Sequence, residues 1–453
     1  MTPEQKRIRG WMFFDWASQP YSTLLLTFIF APYMSDLLGS GTAAQTVWGY
    51  GVGIAGIVIA LASPFLGAIA DRSGRRMGFV VLFSAMYVAG AWGLWWAKPG
   101  DFSLLLVMLS FAVGLIGMEF ATSFTNALLP GLTGRDKMGR VSGAGWAFGY
   151  VGGLVSLVIM IALLQVNPKT GHTLIGLPPL FGLDPATRED TRIVGPLTAV
   201  WYVLFMVPFF LWVRDPRPEG SVSIRQAGRE AWPRLRETLR SLPKRRSLMM
   251  FLIASMLYRD ALNGVYTFGG IFARGVLGWS ILQIAVFGIL GTVTGAIFAW
   301  AGGKADDRFG PKTVIAICLL VLCGVVAGIM GISRTAVWGH AVAADSVLPD
   351  IAFYLMGGLI GAAGGALQAA SRTLMAHQSE PGRMTESFGL YALTGKATAF
   401  LAPLSIAIVT HLSASQSAGI APVLVLFGLG LVLMLWVKTN PVRGAETEER
   451  AEA

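Results

Sequence analysis

Charge is what this sequence lacks most. Its 35 Lys and Arg and 25 Asp and Glu make up 13% of 453 residues, where soluble globular proteins carry roughly 25%, so an ordinary soluble enzyme is excluded. Cysteine is nearly missing as well: Cys318 and Cys323 stand five apart inside an apolar stretch, which fits neither a disulfide framework nor a zinc site. The four histidines, His172, His340, His377 and His411, are scattered and add no metal constellation. With no P-loop, no HExxH and no paired nucleophile and base, neither a metal, a cofactor nor an enzymatic activity is expected. No small-residue cleavage site follows the first apolar run, so no cleaved signal peptide is expected.

Apolar residues are what is there. They make up 54% of the chain, with 56 glycines and a mean hydropathy of +0.62. A water-soluble fold of this composition would be covered in apolar patches, so the sequence is read as an all-α integral membrane protein. A bilayer core about 30 Å thick needs roughly 20 apolar residues per helix. Twelve runs meet this, near 11–37, 46–70, 77–97, 102–129, 141–165, 195–213, 248–272, 279–302, 313–332, 351–375, 387–411 and 420–438. They are called spans 1 to 12 below.

Net charge is +10, which raises nucleic acid as a partner, but the cations fall where a membrane protein puts them. Alternate loops place 27 Lys and Arg on the face of the termini and 6 on the other (Lys98, Lys169, Arg188, Arg192, Arg274 and Arg334), while Arg259 and Lys396 lie inside spans. The excess of positive residues in cytoplasmic loops then predicts cytoplasmic N- and C-termini, a cell (inner) membrane location and no nucleic-acid partner. The chain divides at 214–247, where ten basic residues separate span 6 from span 7. This gives a six-helix bundle over 1–213, a basic linker, a second bundle over 248–438 and a tail over 439–453. In the linker Ile224, Ala227, Ala231, Leu235, Leu239 and Leu242 recur at helical spacing opposite arginines, which predicts an amphipathic helix on the anionic inner leaflet.

The halves echo one another. After span 2 the sequence reads Gly67-Ala-Ile-Ala-Asp71-Arg72-Ser-Gly74-Arg75-Arg76, and after span 8 Gly303-Lys-Ala-Asp-Asp307-Arg308-Phe-Gly310-Pro-Lys312. Weaker echoes pair Asp15 to Ser22 with Asp260 to Thr267, and Gly139-Arg140-Val-Ser142 with Gly382-Arg383-Met-Thr385. Glycine permits close helix approach and a tight turn, and an aspartate at the rim accepts from nearby arginines, so the motif predicts a charge network that opens and closes as the halves move. Positive-inside anchoring alone would explain the arginines but not the aspartates. Repeated halves are a feature of secondary transporters, with the binding site near the midplane between them.

These loop motifs resemble that of the major facilitator superfamily between its helices 2 and 3, matched at every defining position from Gly67 to Arg76. The resemblance implies two pseudo-symmetric six-helix bundles, alternating access and a cavity lined by spans 1, 4, 7 and 10. Phe14-Asp15-Trp16-Ala17-Ser18 with Tyr21-Ser22-Thr23, together with Gly389 to Lys396 in span 11, further resembles the branch named for a vacuolar amino-acid effluxer linked to autophagy. The chain departs from that branch at Ser18-Gln19-Pro20, where Asn-Ser-Ala is common. Glycines four apart in span 5 (Gly145, Gly149, Gly153) and span 8 (Gly291, Gly295) predict close packing, and in the superfamily helices 5 and 8 meet between the halves. Gly51-Val-Gly53-Ile-Ala-Gly56 spells a dinucleotide fingerprint, but with no preceding strand it reads as helix packing.

Polar residues inside spans cost energy and usually face a cavity. Span 4 carries Glu119, Ser123 and Asn126 on one face, and span 7 Asp260, Asn263, Tyr266 and Thr267 with Arg259 to one side. Span 1 adds Asp15, span 10 Gln368 and span 11 Lys396. Glu119, Asn126, Asp260, Asn263, Tyr266, Gln368 and Lys396 are the candidate substrate contacts, with Asp15 and Arg259 as further cavity charges; a structural ion pair is the alternative for each. The expectation is a monomeric secondary transporter of a small solute, an amino acid or related zwitterion, coupled to protons. Two alternatives stay open: an exporter of neutral or amphiphilic compounds held by Tyr266, Trp146 and Tyr391, and a non-transporting receptor or scaffold of the same fold.

Overall fold

The computed structural model describes residues 1–126, 138–167, 170–214, 245–378 and 397–438, with 128, 132, 222–223, 225–226, 243, 391 and 394–395 between them. Most of the predicted linker helix, the loop carrying Gly382 and Arg383, and Lys396 lie outside the described residues. The described chain is helical except for loops and one hairpin, β1 (Ala336–Val337) against β2 (His340–Ala341). In chain order the N-terminal half holds α1 (Pro3–Pro20), α2 (Phe30–Leu38), α3 (Gly41–Ser73), α4 (Arg76–Gly93), α5 (Leu104–Asn126), α6 (Met138–Ile159), α7 (Glu189–Arg192) and α8 (Val194–Trp212). The C-terminal half holds α9 (Arg246–Leu277), α10 (Ile281–Phe309), α11 (Pro311–Met330), α12 (Leu348–Gln378), α13 (Leu401–Ser413), α14 (Gln416–Gly419) and α15 (Ala421–Met434).

Ten of these segments are long and apolar enough to cross a membrane, and each matches one of the twelve expected runs. For 141–165 and 387–411 the described apolar helices are shorter, Phe148–Leu164 and Leu401–Ser413. Leu61, Leu105, Leu211, Leu320 and Leu355 are each more than half exposed, a surface that lipid covers and water would not. The protein is therefore a multi-pass membrane protein.

Local chemistry sets the helix ends. Thr2 with Gln5 and Ser280 with Gln283 form capping boxes, satisfying first-turn N–H groups that lipid would not. Gly74 closes α3 at φ +61° and Gly310 separates α10 from α11 at φ +80°, the turns predicted of both motif glycines. Span 1 is not one regular helix. Pro20 has no N–H and cannot close onto the carbonyl of Trp16, and the chain widens into a π-helical stretch over Tyr21–Phe28. The freed Trp16 carbonyl instead accepts from the Trp201 indole at 3.1 Å, tying span 1 to span 6.

Spans 5 and 8 do touch, as the superfamily resemblance implied, but their glycine faces pack elsewhere. A Cβ at Gly145 would lie 2.6 Å from an Asp15 carboxylate oxygen and one at Gly153 would lie 2.8 Å from Gln19, so span 5 packs on span 1. A Cβ at Gly361 would run into the Gly291 carbonyl oxygen, and one at Gly365 into that of Gly295, so span 8 packs on span 10. Both contacts lie within a half. Between the halves, span 2 does this job: Gly49 lies against Pro403 and Ala407, Gly53 against Leu404 and Gly56 against Phe400 of span 11. The rejected dinucleotide fingerprint is thus largely a helix-packing face.

Candidate functional site

The sequence-predicted residues fall into three groups. The first surrounds the start of α13. The run expected to form span 11 is interrupted by a turn at 398–400, after which Leu401 N–H donates to the Thr398 carbonyl at 2.9 Å. The N-cap residue, Phe400, offers no side-chain acceptor. Asp260 supplies it from span 7: one carboxylate oxygen accepts the Ala402 N–H at 2.6 Å, capping a helix start that would otherwise leave donors bare. The other oxygen is buried and has no hydrogen-bond partner among the described residues. Asp260 as a whole is 2% exposed.

Arg259, next to Asp260, turns to the other side of the same break. Its Nη1 donates to the Tyr391 carbonyl at 3.1 Å, its guanidinium lies 4.3 Å from the Tyr391 ring centroid, and Tyr391 stacks on Phe251 at 5.9 Å. A Cβ at Gly395 would run into the guanidinium at 2.6 Å, so glycine is what admits the arginine there. Ser371, buried in span 10, bonds Tyr258 at 2.8 Å below this cluster in sequence. Gln368 and Tyr266 are half-buried and Asn263 exposed; the Tyr266 hydroxyl lies where a Cβ on Gly364 would be, so span 7 meets span 10 there.

The second group lies in the N-terminal half. Glu119 is half-buried, and Ser123 donates to its main-chain carbonyl at 2.9 Å rather than facing a ligand. Asn126 is exposed at the end of α5. Asp15 faces the glycines of span 5, and nothing is described of the Trp146 side chain.

The third group is the loop motif. The side chains of Asp71, Arg72 and Asp307 lie outside the described set, and Gly67 and Gly303 stand in the last turns of α3 and α10. Arg75 and Arg308 are exposed and Arg76 half-buried. Lys312 is engaged elsewhere: its Nζ donates to the carbonyls of Val437 at 2.7 Å and Leu435 at 3.3 Å, where a cation suits the bare carbonyl end of α15.

Sequence reasoning missed the closure of the halves on the face opposite the termini. Asp36, at the end of α2, takes Arg188 Nη2 on one oxygen at 2.7 Å and Arg274 Nε and Nη2 on the other at 2.6 and 2.5 Å. Asp36 and Arg188 belong to the first half and Arg274 to the second. Beside it Gln45 donates to Thr410 at 2.7 Å, Gln416 donates to Gln45 at 3.2 Å, and Tyr50 meets His411 at 3.2 Å. Two of the few cations on that face meet one of its acids, a pairing that cation counts alone do not show.

The family described as "Vacuole effluxer Atg22 like" matches residues 34–447. The MFS-type transporter YxiO of Bacillus subtilis is 27% identical over 441 residues, 95% of each chain. Autophagy-related protein 22-1 of Sclerotinia sclerotiorum is 26% identical over 279 residues, 58% of this chain, which spans 44% of that relative's length. Among solved structures, the nucleoside transporter NupG superposes with TM-score 0.65 at 12% identity, covering 96% of this chain and 98% of its own. A D-xylose-proton symporter does so with TM-score 0.64 at 15% identity, covering 97% of each. At these identities the two structures speak for the fold.

Proposed function

The chain belongs to the Atg22-like vacuole effluxer family of major facilitator transporters, and from that premise we propose that it carries a small zwitterion, an amino acid or close relative, by alternating access with proton coupling. The observation that carries the reading is the pairing of neighbours Asp260 and Arg259 across the break in span 11. One is an acid with a buried oxygen that has no partner among the described residues, the other a cation held over Tyr391. A zwitterion losing water at both ends needs one charge of each sign, and an unpartnered carboxylate oxygen in a dry site is open to an ammonium group or a proton. A helix start beside unwound backbone is where transporters of this architecture bind solutes and ions.

Twelve spans, cytoplasmic termini and an inner-membrane location complete the proposal. Lys396 is a second candidate for the solute carboxylate, and Glu119 for the ammonium or the coupled proton. Asp71 and Asp307 are assigned to the gating network of the terminal face. The test is uptake of labelled amino acids into proteoliposomes under an imposed pH gradient. Gradient-driven uptake that is lost in Asp260→Asn and in Lys396→Ala supports the reading. Uptake of a neutral amphiphile, unchanged by either substitution, would replace it with the export of drug-like compounds, and no flux of any solute would favour a receptor or scaffold.

A further inference from the structure

The face opposite the termini holds a feature that the transport site does not use. Arg188 and Arg274 border a cleft whose walls also include Gln165, Asn167, Ser280 and Ile281 and, among the described residues, contain no Asp or Glu. Both arginines reach out of it to the single carboxylate of Asp36. None of the three is sealed off: their side chains are 24%, 25% and 20% exposed. Other acids nearby have partners of their own, except that Asp190 Oδ1 is buried with none among the described residues. Asp190, whose charge also bears on Arg188, accepts from Gln165 Nε2 at 2.8 Å and Val166 N at 3.1 Å. Glu189 stands 3.8 Å from Arg192 and accepts from Asp184 N at 3.1 Å. Arg188 Nε is buried with no hydrogen-bond partner among the described residues, so this guanidinium is not saturated by its present contacts. Arg274 Nη1 is held by the Trp279 carbonyl at 2.6 Å, which fixes the guanidinium in place.

We propose that this two-arginine clamp is a binding site for a solute carboxylate, with Asp36 occupying it while the halves are closed on that face. Guanidinium groups favour planar carboxylates because their N–H donors match the oxygen lone pairs. Arg274 alone of the three belongs to the second half, so an incoming carboxylate that exchanges with Asp36 on Arg274 breaks the ionic tie between halves at the same moment. The site is separate from the one around Asp260. Its binding step stands without the zwitterion reading, and only its role in transport rests on it.

The test uses the full chain in lipid nanodiscs, with Cys318 and Cys323 replaced and a cysteine at Ile281, which lines the cleft and is 4% exposed. Its maleimide labelling rate reports opening. Acetate should raise that rate about fivefold, the shift carried by loss of one partly buried ion pair, and the neutral isostere acetamide at equal ionic strength should not. In Asp36→Ala the rate should be high without additive, and acetate should lower it by refilling the clamp. The Arg188→Gln, Arg274→Gln double variant should ignore acetate. An equal response to acetate and acetamide, or an acetate response that survives in the double variant, overturns the proposal. If Asp36→Ala does not fold, the acetate–acetamide comparison on the native clamp decides. No transported substrate enters these measurements, so the zwitterion reading can fail in liposomes while this one stands, and the reverse.

Discussion

Asp260 does two jobs with two oxygens, and substitution can separate them. One oxygen accepts the Ala402 N–H, a structural bond that an asparagine carbonyl can keep; the other carries the charge proposed for transport. Asp260→Asn should therefore melt within a degree or two of the native protein while losing pH-driven uptake. Asp260→Ala should also lose stability, about 1–3 kcal/mol for a buried donor left bare. Paired thermal unfolding and uptake measurements check this, and equal destabilisation by both would mean that the charge itself holds the fold. At this scale the sequence was legible in part. An acid inside a span announces itself by its cost, and Arg259 does come together with Tyr391 and Gly395 of span 11, and Asp260 with Ala402. That the carboxylate caps a helix on another span was not legible, because the donor is a main-chain N–H whose exposure depends on a turn at 398–400 that no residue type there marks. Pro20 is the opposite case: its missing N–H is visible in the sequence, but the Trp201 indole that takes up the orphaned carbonyl is 185 positions away.

Spans pack through glycine, and the spacing of glycines reveals a packing face without revealing the partner. Four-residue repeats in spans 5 and 8 marked such faces correctly, yet they point to span 1 and span 10 rather than to each other. Periodicity is a property of one helix, whereas the partner is set by how all the spans are arranged. Among the described glycines, Gly361 on Gly291 is the closest approach to backbone, with the Thr294 hydroxyl beside it, and backbone cannot yield as a side chain can. Gly361→Ala should force the two helices apart at about 1–3 kcal/mol, the usual cost of overpacking. Gly324→Ala in span 9 is the matched control, since nothing lies within 4 Å of the added Cβ, and it should be neutral or stabilising by up to about 1 kcal/mol through helix propensity. Unfolding of both variants in the same detergent reads the difference; a similar loss in each would mean that the contact between spans 8 and 10 is loose.

For the whole molecule the sequence spoke most clearly. Scarce charge and long apolar runs announce a multi-pass membrane protein, and motifs repeated 236 residues apart, Asp71 against Asp307, announce two related halves. The state of those halves was not legible, because it lives in pairs such as Asp36 with Arg274, 238 residues apart, which no periodicity links. The cation bias predicts cytoplasmic termini, so a cysteine at Thr187 should react with an impermeant thiol reagent outside intact cells and one at Ser221 should not; the reverse pattern would turn the molecule over.

Movement is the last step. The halves are joined opposite the termini by Gln45 with Thr410 and Gln416, together with the glycine contact of span 2 on span 11. Alternating access requires this joint to part once per cycle. Cysteines at 45 and 410, bridged by a short bifunctional thiol reagent, should hold it shut and stop transport, while a bridge within one half, between positions 84 and 202, whose native side chains bond at 2.7 Å, should leave transport nearly intact. With a reducible linker, dithiothreitol should restore the flux. Continued flux through the bridged 45–410 protein would mean that the solute crosses without the halves separating on this face, and a rocking mechanism would have to be given up for this chain.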